Sequence, residues 1–269
     1  MTATHEATKD SDGAALITGA SRGIGAAIAR GLAAEGFAVV VAARGMEGAE
    51  QVAASIRQAG GRAQALGLDV TDPHAVAAAL GPLREFAASV GGLRLLVNNA
   101  GLARSAPLER SGAFGENEDL YRLHMELNFH APVRLAEALL EDLAGPSGCI
   151  VNVASSAGLQ GYSYVAAYCA SKHALVGWTR AAATERGSRG PRVHAVCPHY
   201  VDSPMLQSSI DNVVEKTGKS QEQARAFFAG QNPGGRLVQP EAVAAAVAEL
   251  ASGQRSEVIL ELTGSEPAP

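Results

Sequence analysis

Ala14 to Ile17 and Phe37 to Ala42 are apolar at every position, with none of the polar alternation of a strand that keeps one face in water. Similar apolar-rich runs recur at Ala63 to Leu68, Leu93 to Val97, Cys149 to Ala154, Arg192 to Val196 and Val258 to Leu262. Between them lie stretches with apolar residues at helical spacing: about Gly25 to Glu35, Gly48 to Ala59, Pro73 to Ser89, Asp119 to Leu143, Tyr164 to Arg186 and Pro240 to Ala251. A strand that is apolar on both faces must be covered on both, and the intervening helices can do the covering. The pattern predicts an α/β fold: a doubly wound parallel sheet with helices on both faces. No repeat, low-complexity linker or break in composition divides the chain, so one domain is expected over 14–262, between a disordered tail at 1–13 and a short tail at 263–269. Ser203 to Gln239 is long and polar for a connection, which points to a substrate lid or a pair of small helices.

Composition removes several classes of function. With 47% hydrophobic residues in a chain of 269, a large core is available and disorder is excluded. The 30 glycines show no G-X-Y period, which excludes collagen and suits turn-rich α/β architecture. Lys and Arg number 22 against 27 Asp and Glu, for a net charge of -5, and aromatic residues make up 4%. Such a chain offers neither the basic surface nor the stacking rings of a nucleic-acid binder. Cys149, Cys169 and Cys197 stand apart in apolar surroundings, and the seven histidines have no metal-binding spacing, so neither a disulfide framework nor a metal site is expected. The polar start lacks the apolar core of a signal peptide, and no apolar run reaches 18 residues. The expectation is a cytoplasmic protein with no membrane partner.

The first apolar run leads into Thr18-Gly19-Ala20-Ser21-Arg22-Gly23-Ile24-Gly25 and then into a helix. Glycines in such a turn let the backbone approach a pyrophosphate, and the helix start supplies free N–H groups for its charge. A Rossmann-type dinucleotide site is therefore expected. Where NAD is selected, an Asp or Glu about 20 residues past the turn holds the ribose 2′-hydroxyl. Here that place is Ala43, followed by Arg44, so no carboxylate is present to repel a 2′-phosphate. Further on, Tyr168 and Lys172 are four residues apart and share one helix face. A nearby ammonium favours the phenolate, so Lys172 is expected to lower the tyrosine pKa toward a value useful for proton transfer.

The turn from Thr18 to Gly25 follows the Thr-Gly-x-x-x-Gly-x-Gly pattern and resembles that of the short-chain dehydrogenase/reductase family; the resemblance continues in order over about residues 14 to 250. It implies cofactor contacts at Gly19, Ser21, Arg22, Gly23, Ile24 and Gly25, with Arg22 and Arg44 at the basic positions of NADP-dependent members. Asp69-Val70 would end the third strand and meet the adenine; Asn98-Asn99-Ala100-Gly101 would steady the sheet and place Asn99, Ala100 and Gly101 beside the ribose. Pro198, Val201 and Ser203 are similar to the segment on the nicotinamide side. Asn128, Ser155, Tyr168 and Lys172 fall where the family keeps its catalytic group. In that scheme Ser155 polarises a carbonyl, Tyr168 exchanges a proton with it, Lys172 holds the ribose, and Asn128 completes a water-linked proton relay. Ser156 is the rival of Ser155, and spacing to Tyr168 favours Ser155. Cys169 and His173 are read as neighbours without a role.

The resemblance thus implies a carbonyl reductase or alcohol dehydrogenase that prefers NADP(H) over NAD(H). Ala20 to Gly25 is similar to the turn of 3-oxoacyl-thioester reductases and polyketide-type ketoreductases. An NAD-linked dehydrogenase of secondary alcohols is the alternative, and a catalytically silent nucleotide-binding scaffold a remote one. The small-molecule partner would be a carbonyl or alcohol, and a homo-oligomer, dimer or tetramer, is expected. Two departures stand out. His199 occupies the place where the family has glycine, where a side chain would crowd the nicotinamide pocket or line the substrate mouth. The family's glycine-rich stretch after the last strand is replaced by Thr263-Gly264-Ser265-Glu266-Pro267-Ala268-Pro269.

Overall fold

The structure, a computed structural model, describes residues 13–108, 118–143 and 147–266. Its parallel strands are β1 (Ala14–Thr18), β2 (Ala38–Ala43), β3 (Ala63–Gly67), β4 (Leu93–Asn98), β5 (Cys149–Val153), β6 (Arg192–Pro198) and β7 (Ile259–Leu262). They form one sheet in the order β3-β2-β1-β4-β5-β6-β7. The helices are α1 (Gly23–Ala34), α2 (Met46–Gln58), α3 (Pro73–Ala88), α4 (Glu118–Met125), α5 (Ala131–Ala138), α6 (Ala166–Arg186), α7 (Pro204–Thr217), α8 (Gln221–Gln231) and α9 (Pro240–Ser252).

Alternate residues of each strand serve opposite faces. Ile17, Val41, Val97 and Val151 pack with Ile28 and Leu32 of α1, Val52 of α2 and Val247 of α9. Leu16, Val40, Leu96 and Ile150 pack instead with Leu83 of α3 and Leu135 of α5. Both sets are buried, which is why the strands carry no polar alternation. The order reverses between β1 and β4, and in doubly wound sheets the crevice above such a reversal, at the carboxyl ends of the strands, is where ligands bind. The 1–13 tail lies outside the described residues except for Gly13.

The structure corrects several boundaries. The long helix anticipated from Asp119 to Leu143 is interrupted by a π turn at Glu126–His130, and α5 then begins with Pro132 in its first turn. A π turn relieves the helical ladder and re-aims one side chain, here Asn128. Helix α6 starts at Ala166 rather than Tyr164, because Tyr164 has φ 68, outside the right-handed helical region. β3 ends at Gly67, so Asp69 and Val70 lie beyond the strand rather than at its end. The 203–239 segment contains a pair of helices: Ser203 caps α7, and Ser220 with Gln223 makes a capping box on α8. Residues 263–266 are also built in, with Gly234 N donating to Thr263 O at 3.0 Å.

Candidate active site

The glycine turn is shaped by close approach. Gly19 has φ 63, and a Cβ there would stand 2.8 Å from Ala100 Cα. At Gly25 a Cβ would meet both Asn99 Nδ2 and Gly19 O at 2.5 Å. The turn and the end of β4 therefore interlock, and the bonds between them run through Thr18. Its hydroxyl accepts from Asn99 N at 3.0 Å and Ala100 N at 3.1 Å, while Asn99 Nδ2 donates to Thr18 O and Gly19 O. Arg22, the residue before α1, supplies no side-chain cap, so the first-turn N–H groups of that helix are left for a ligand. This bare cradle fits a pyrophosphate. Pro204 of α7 lies over it, 3.2 Å from where a Cβ on Gly23 would be.

At the adjoining end of the sheet, Ala43 is buried at the tip of β2 while Arg44 and Arg22 are exposed. Ser21 touches the first turn of α2, where a Cβ on Gly48 would come within 3.0 Å of its own Cβ. The start of α2 at Gly45 carries no side-chain cap. Asp69 turns its carboxylate onto Thr71, accepting from the backbone at 2.9 Å and the hydroxyl at 2.7 Å. Those bonds, with Arg44 nearby, hold its pKa below the ordinary carboxylate value. Val70 is buried, and its carbonyl accepts from Arg134.

The catalytic candidates meet above β5. Ser155 leaves the strand in extended conformation and its hydroxyl accepts from Ala157 N at 3.1 Å. The same side chain lies near enough to Tyr168 to act on its hydroxyl. Lys172, one turn along α6, is 4% exposed; its Nζ donates to Val153 O at 2.8 Å and lies 5.8 Å from the centroid of the Tyr168 ring. Burial pushes the Lys172 pKa down to about 8 and the Tyr168 pKa up to about 12, with Ser155 opposing the rise. This corrects the expectation that the ammonium lowers the tyrosine. Without a ligand, desolvation of the phenolate outweighs the lysine, whose charge is directed at a carbonyl.

Asn128 is fully buried in the π turn. Its side chain accepts from Leu102 N and donates to Leu102 O and Ser171 Oγ, each at 3.0 Å. That exhausts its Nδ2 donors on protein groups, with Gly101 wedged beside its Oδ1. Pro198 ends β6, Val201 bridges to Val238, and Ser203 caps α7 through Leu206 N, so these three residues shape the wall between the sheet and α7. His199 is buried. Its backbone N continues the ladder to Leu262 O, and its buried ring turns to Glu261 Oε1 at 2.7 Å and to the Tyr162 hydroxyl at 3.4 Å. Cys169 is buried, and His173 Nδ1 is bonded to its carbonyl.

Sequence reasoning placed Asn98 in the sheet's support but missed three further supporting residues, His124, Asn152 and Thr179. His124 lies 6.3 Å from the Tyr168 ring, edge-on, and pins the loop after β4 by accepting from Arg104 N at 3.1 Å while its other ring nitrogen bonds Leu120 O. Asn98, Asn152 and Thr179 form a buried ladder of 2.9 Å bonds across β4, β5 and α6. Only the polar residues interrupting apolar runs hinted at these. A cavity of about 530 Å³ lined by Arg225, Arg236, Glu222 and Glu266 lies between α8, α9 and the chain end, with none of the catalytic candidates in its lining.

The sequence profile described as short chain dehydrogenase matches residues 13–213. The chain is 38% identical over 247 residues to a cis-4-hydroxycyclohexanecarboxylate dehydrogenase from Sinomonas cyclohexanicum, covering 91% of each chain. It is 35% identical over 245 residues to the 3-oxoacyl-acyl-carrier-protein reductase FabG of Vibrio cholerae, again with 91% of each covered. Among solved structures, an actinorhodin polyketide ketoreductase variant with NADPH superposes with a TM-score of 0.84 at 35% identity, covering 95% of this chain and 97% of the other. With its glycine cradle and the Ser155–Tyr168–Lys172 group at the strand ends, the chain belongs to the short-chain dehydrogenase/reductase family and is an NAD(P)-dependent oxidoreductase acting on CH–OH or C=O groups.

Proposed function

We propose that this chain is a carbonyl reductase that prefers NADPH and converts a ketone to a secondary alcohol. The observation that carries the reading is the convergence of Ser155, Tyr168 and Lys172 at the strand ends, with Lys172 Nζ 5.8 Å from the Tyr168 ring and burial holding the Tyr168 pKa up at about 12. Such a tyrosine is a neutral phenol at physiological pH, the state needed to donate a proton. Bound along the glycine cradle, NADPH would supply a hydride for the carbonyl carbon. The chain does the rest. Gly19, Gly23 and Gly25 admit the pyrophosphate, while Ser21, Arg22 and Arg44 border the 2′-phosphate. Asp69, Val70, Asn99, Ala100 and Gly101 line the adenosine side, and Pro198, Val201 and Ser203 the nicotinamide side. Ser155 donates a hydrogen bond to the carbonyl oxygen and Tyr168 delivers its proton to that same oxygen. Ser155 then stabilises the phenolate that remains. Lys172 holds the ribose and, as an ammonium, favours that phenolate.

The relatives support this direction in part: one is named a 3-oxoacyl-acyl-carrier-protein reductase, and one solved neighbour is a ketoreductase with NADPH. Others carry dehydrogenase names, including a meso-2,3-butanediol dehydrogenase from Serratia marcescens, which favours alcohol oxidation as the second reading. Initial rates with ketones and acyl-thioester mimics, using NADPH and NADH in parallel, separate the two. Faster alcohol oxidation with NAD than ketone reduction with NADPH would overturn the first reading.

A further inference from the structure

Tyr200 follows the carboxyl end of β6 and is held with unusual completeness. Its backbone N donates to Asn232 Oδ1 and its carbonyl accepts from Asn232 Nδ2, both at 2.9 Å, while Val238 N donates to the same carbonyl at 3.0 Å. Asn232 is buried, so this clamp is shielded from water. The Tyr200 ring stands between Tyr162, 6.0 Å away and edge-on, and Phe228 at 5.0 Å. Tyr162 is fixed in turn. Its hydroxyl meets Ser156 Oγ at 2.9 Å, accepts from Gln160 Nε2 at 2.7 Å and faces His199 Nδ1 at 3.4 Å. The Glu261 carboxylate only accepts, so His199 Nε2 donates to it while Nδ1 faces Tyr162.

Two tyrosines thus stand at the catalytic end of the sheet, and their hydroxyls are employed differently. That of Tyr162 is saturated by protein. That of Tyr200 forms no hydrogen bond among the described residues and is not sealed from solvent. It also lies within electrostatic reach of Tyr168. Burial raises the Tyr200 pKa, so the group is a neutral donor at physiological pH. A rigid ring with an unused donor beside the reacting centre is preorganised for a ligand acceptor, since little ordering is left to do on binding.

We propose that Tyr200 determines specificity, its hydroxyl donating to a second oxygen of the substrate, so that ketones bearing another oxygen a few bonds from the reacting carbonyl are preferred over simple ketones. This rests on the carbonyl-reductase reading above. His199, Glu261 and Tyr162 are positioning residues in this arrangement, bracing the ring without touching substrate.

The test is kcat/KM for 2,4-pentanedione and 2-pentanone, matched in carbon skeleton, with the wild-type protein and Tyr200→Phe. The variant keeps the ring and removes only the donor. The expected result is a loss of roughly tenfold for the diketone, the worth of one neutral hydrogen bond, with 2-pentanone changed less than about twofold. NADPH affinity should be unaltered. An equal loss for both ketones, or weakened NADPH binding, would show that Tyr200 serves the fold and overturn the proposal. Unchanged selectivity in an active variant overturns it too, while leaving the reductase reading intact. If the wild type reduces neither ketone with either cofactor, the reductase reading fails and the proposal with it.

Discussion

Tyr168 and Lys172 show how a pair four residues apart acquires properties that neither spacing nor residue type supplies. The lysine charge is satisfied by Val153 O, and burial keeps the tyrosine protonated. Tyr168→Phe should therefore lower kcat by about 10²–10⁴-fold while leaving NADPH affinity nearly intact, because the ring stays and the proton donor goes. Retention of more than a tenth of wild-type kcat would contradict the role given to this hydroxyl. Cofactor choice is a second single-residue matter. A guanidinium can grip a phosphate with two charge-assisted bonds, each contributing about 1.5–3 kcal/mol. The double variant Ala43→Asp, Arg44→Ala should lose its NADPH preference by at least about tenfold in kcat/KM, moving toward NADH. Selectivity that survives both changes would assign the phosphate to Arg22 or to the start of α2.

At the scale of elements, the interruption between α4 and α5 is the clearest case of a functional demand overriding local pattern. An unbroken helix would leave Asn128 among ordinary helix positions; the π turn carries it to Leu102 and Ser171 and ties the loop after β4 to α6. Helices α7 and α8 belong to another category. Each is capped by its own serine, but much of their surface is exposed, including Met205 and Phe227, and their shared core is small: Leu206, Ile210, Ala224, Phe228 and Leu237. Elements with little burial open at low free energy. Amide exchange over 204–231 should therefore be faster than over α1 or α9 in the ligand-free protein and should slow when cofactor and substrate bind. Full protection without ligand, unchanged on binding, would remove the lid role.

For the molecule as a whole, the site is bought with buried polarity. Lys172 is an ammonium in a nearly closed setting with one hydrogen bond to a carbonyl, and its pKa is pushed down to about 8 from an unfolded value near 10.4. Below about pH 8 both folded and unfolded chains hold that proton and the folded state bears the whole desolvation cost. Between about 8 and 10.4 the unfolded chain binds the proton that the folded chain releases, so this group makes the fold more stable as pH rises. Lys172→Met should consequently be at least as thermally stable as the wild type at pH 7 without cofactor, and its advantage should shrink by pH 9.5. Paired melting curves at the two pH values check this. A variant that is less stable by the same margin at both would contradict it.

The strand and helix succession, the parallel sheet and the glycine turn were legible in the sequence, because each depends on local pattern; Tyr168 and Lys172 were paired by helical spacing, and Ser155 was named from the family resemblance. Apolar runs report two-sided burial directly, and a Gly-rich turn after a strand has few other uses. The tertiary structure alone decided where charges and side chains of distant segments meet. The use of Asn128 depends on Leu102, 26 residues away, and on Ser171, 43 away. The sequence left His199 either crowding the nicotinamide pocket or lining the substrate mouth; the partner its ring takes, Glu261 of β7, lies 62 residues on. The tyrosine pKa ran opposite to the expectation for the same reason: spacing along a helix places the lysine nearby, but desolvation is set by everything that packs around the hydroxyl, and only the folded chain assembles that.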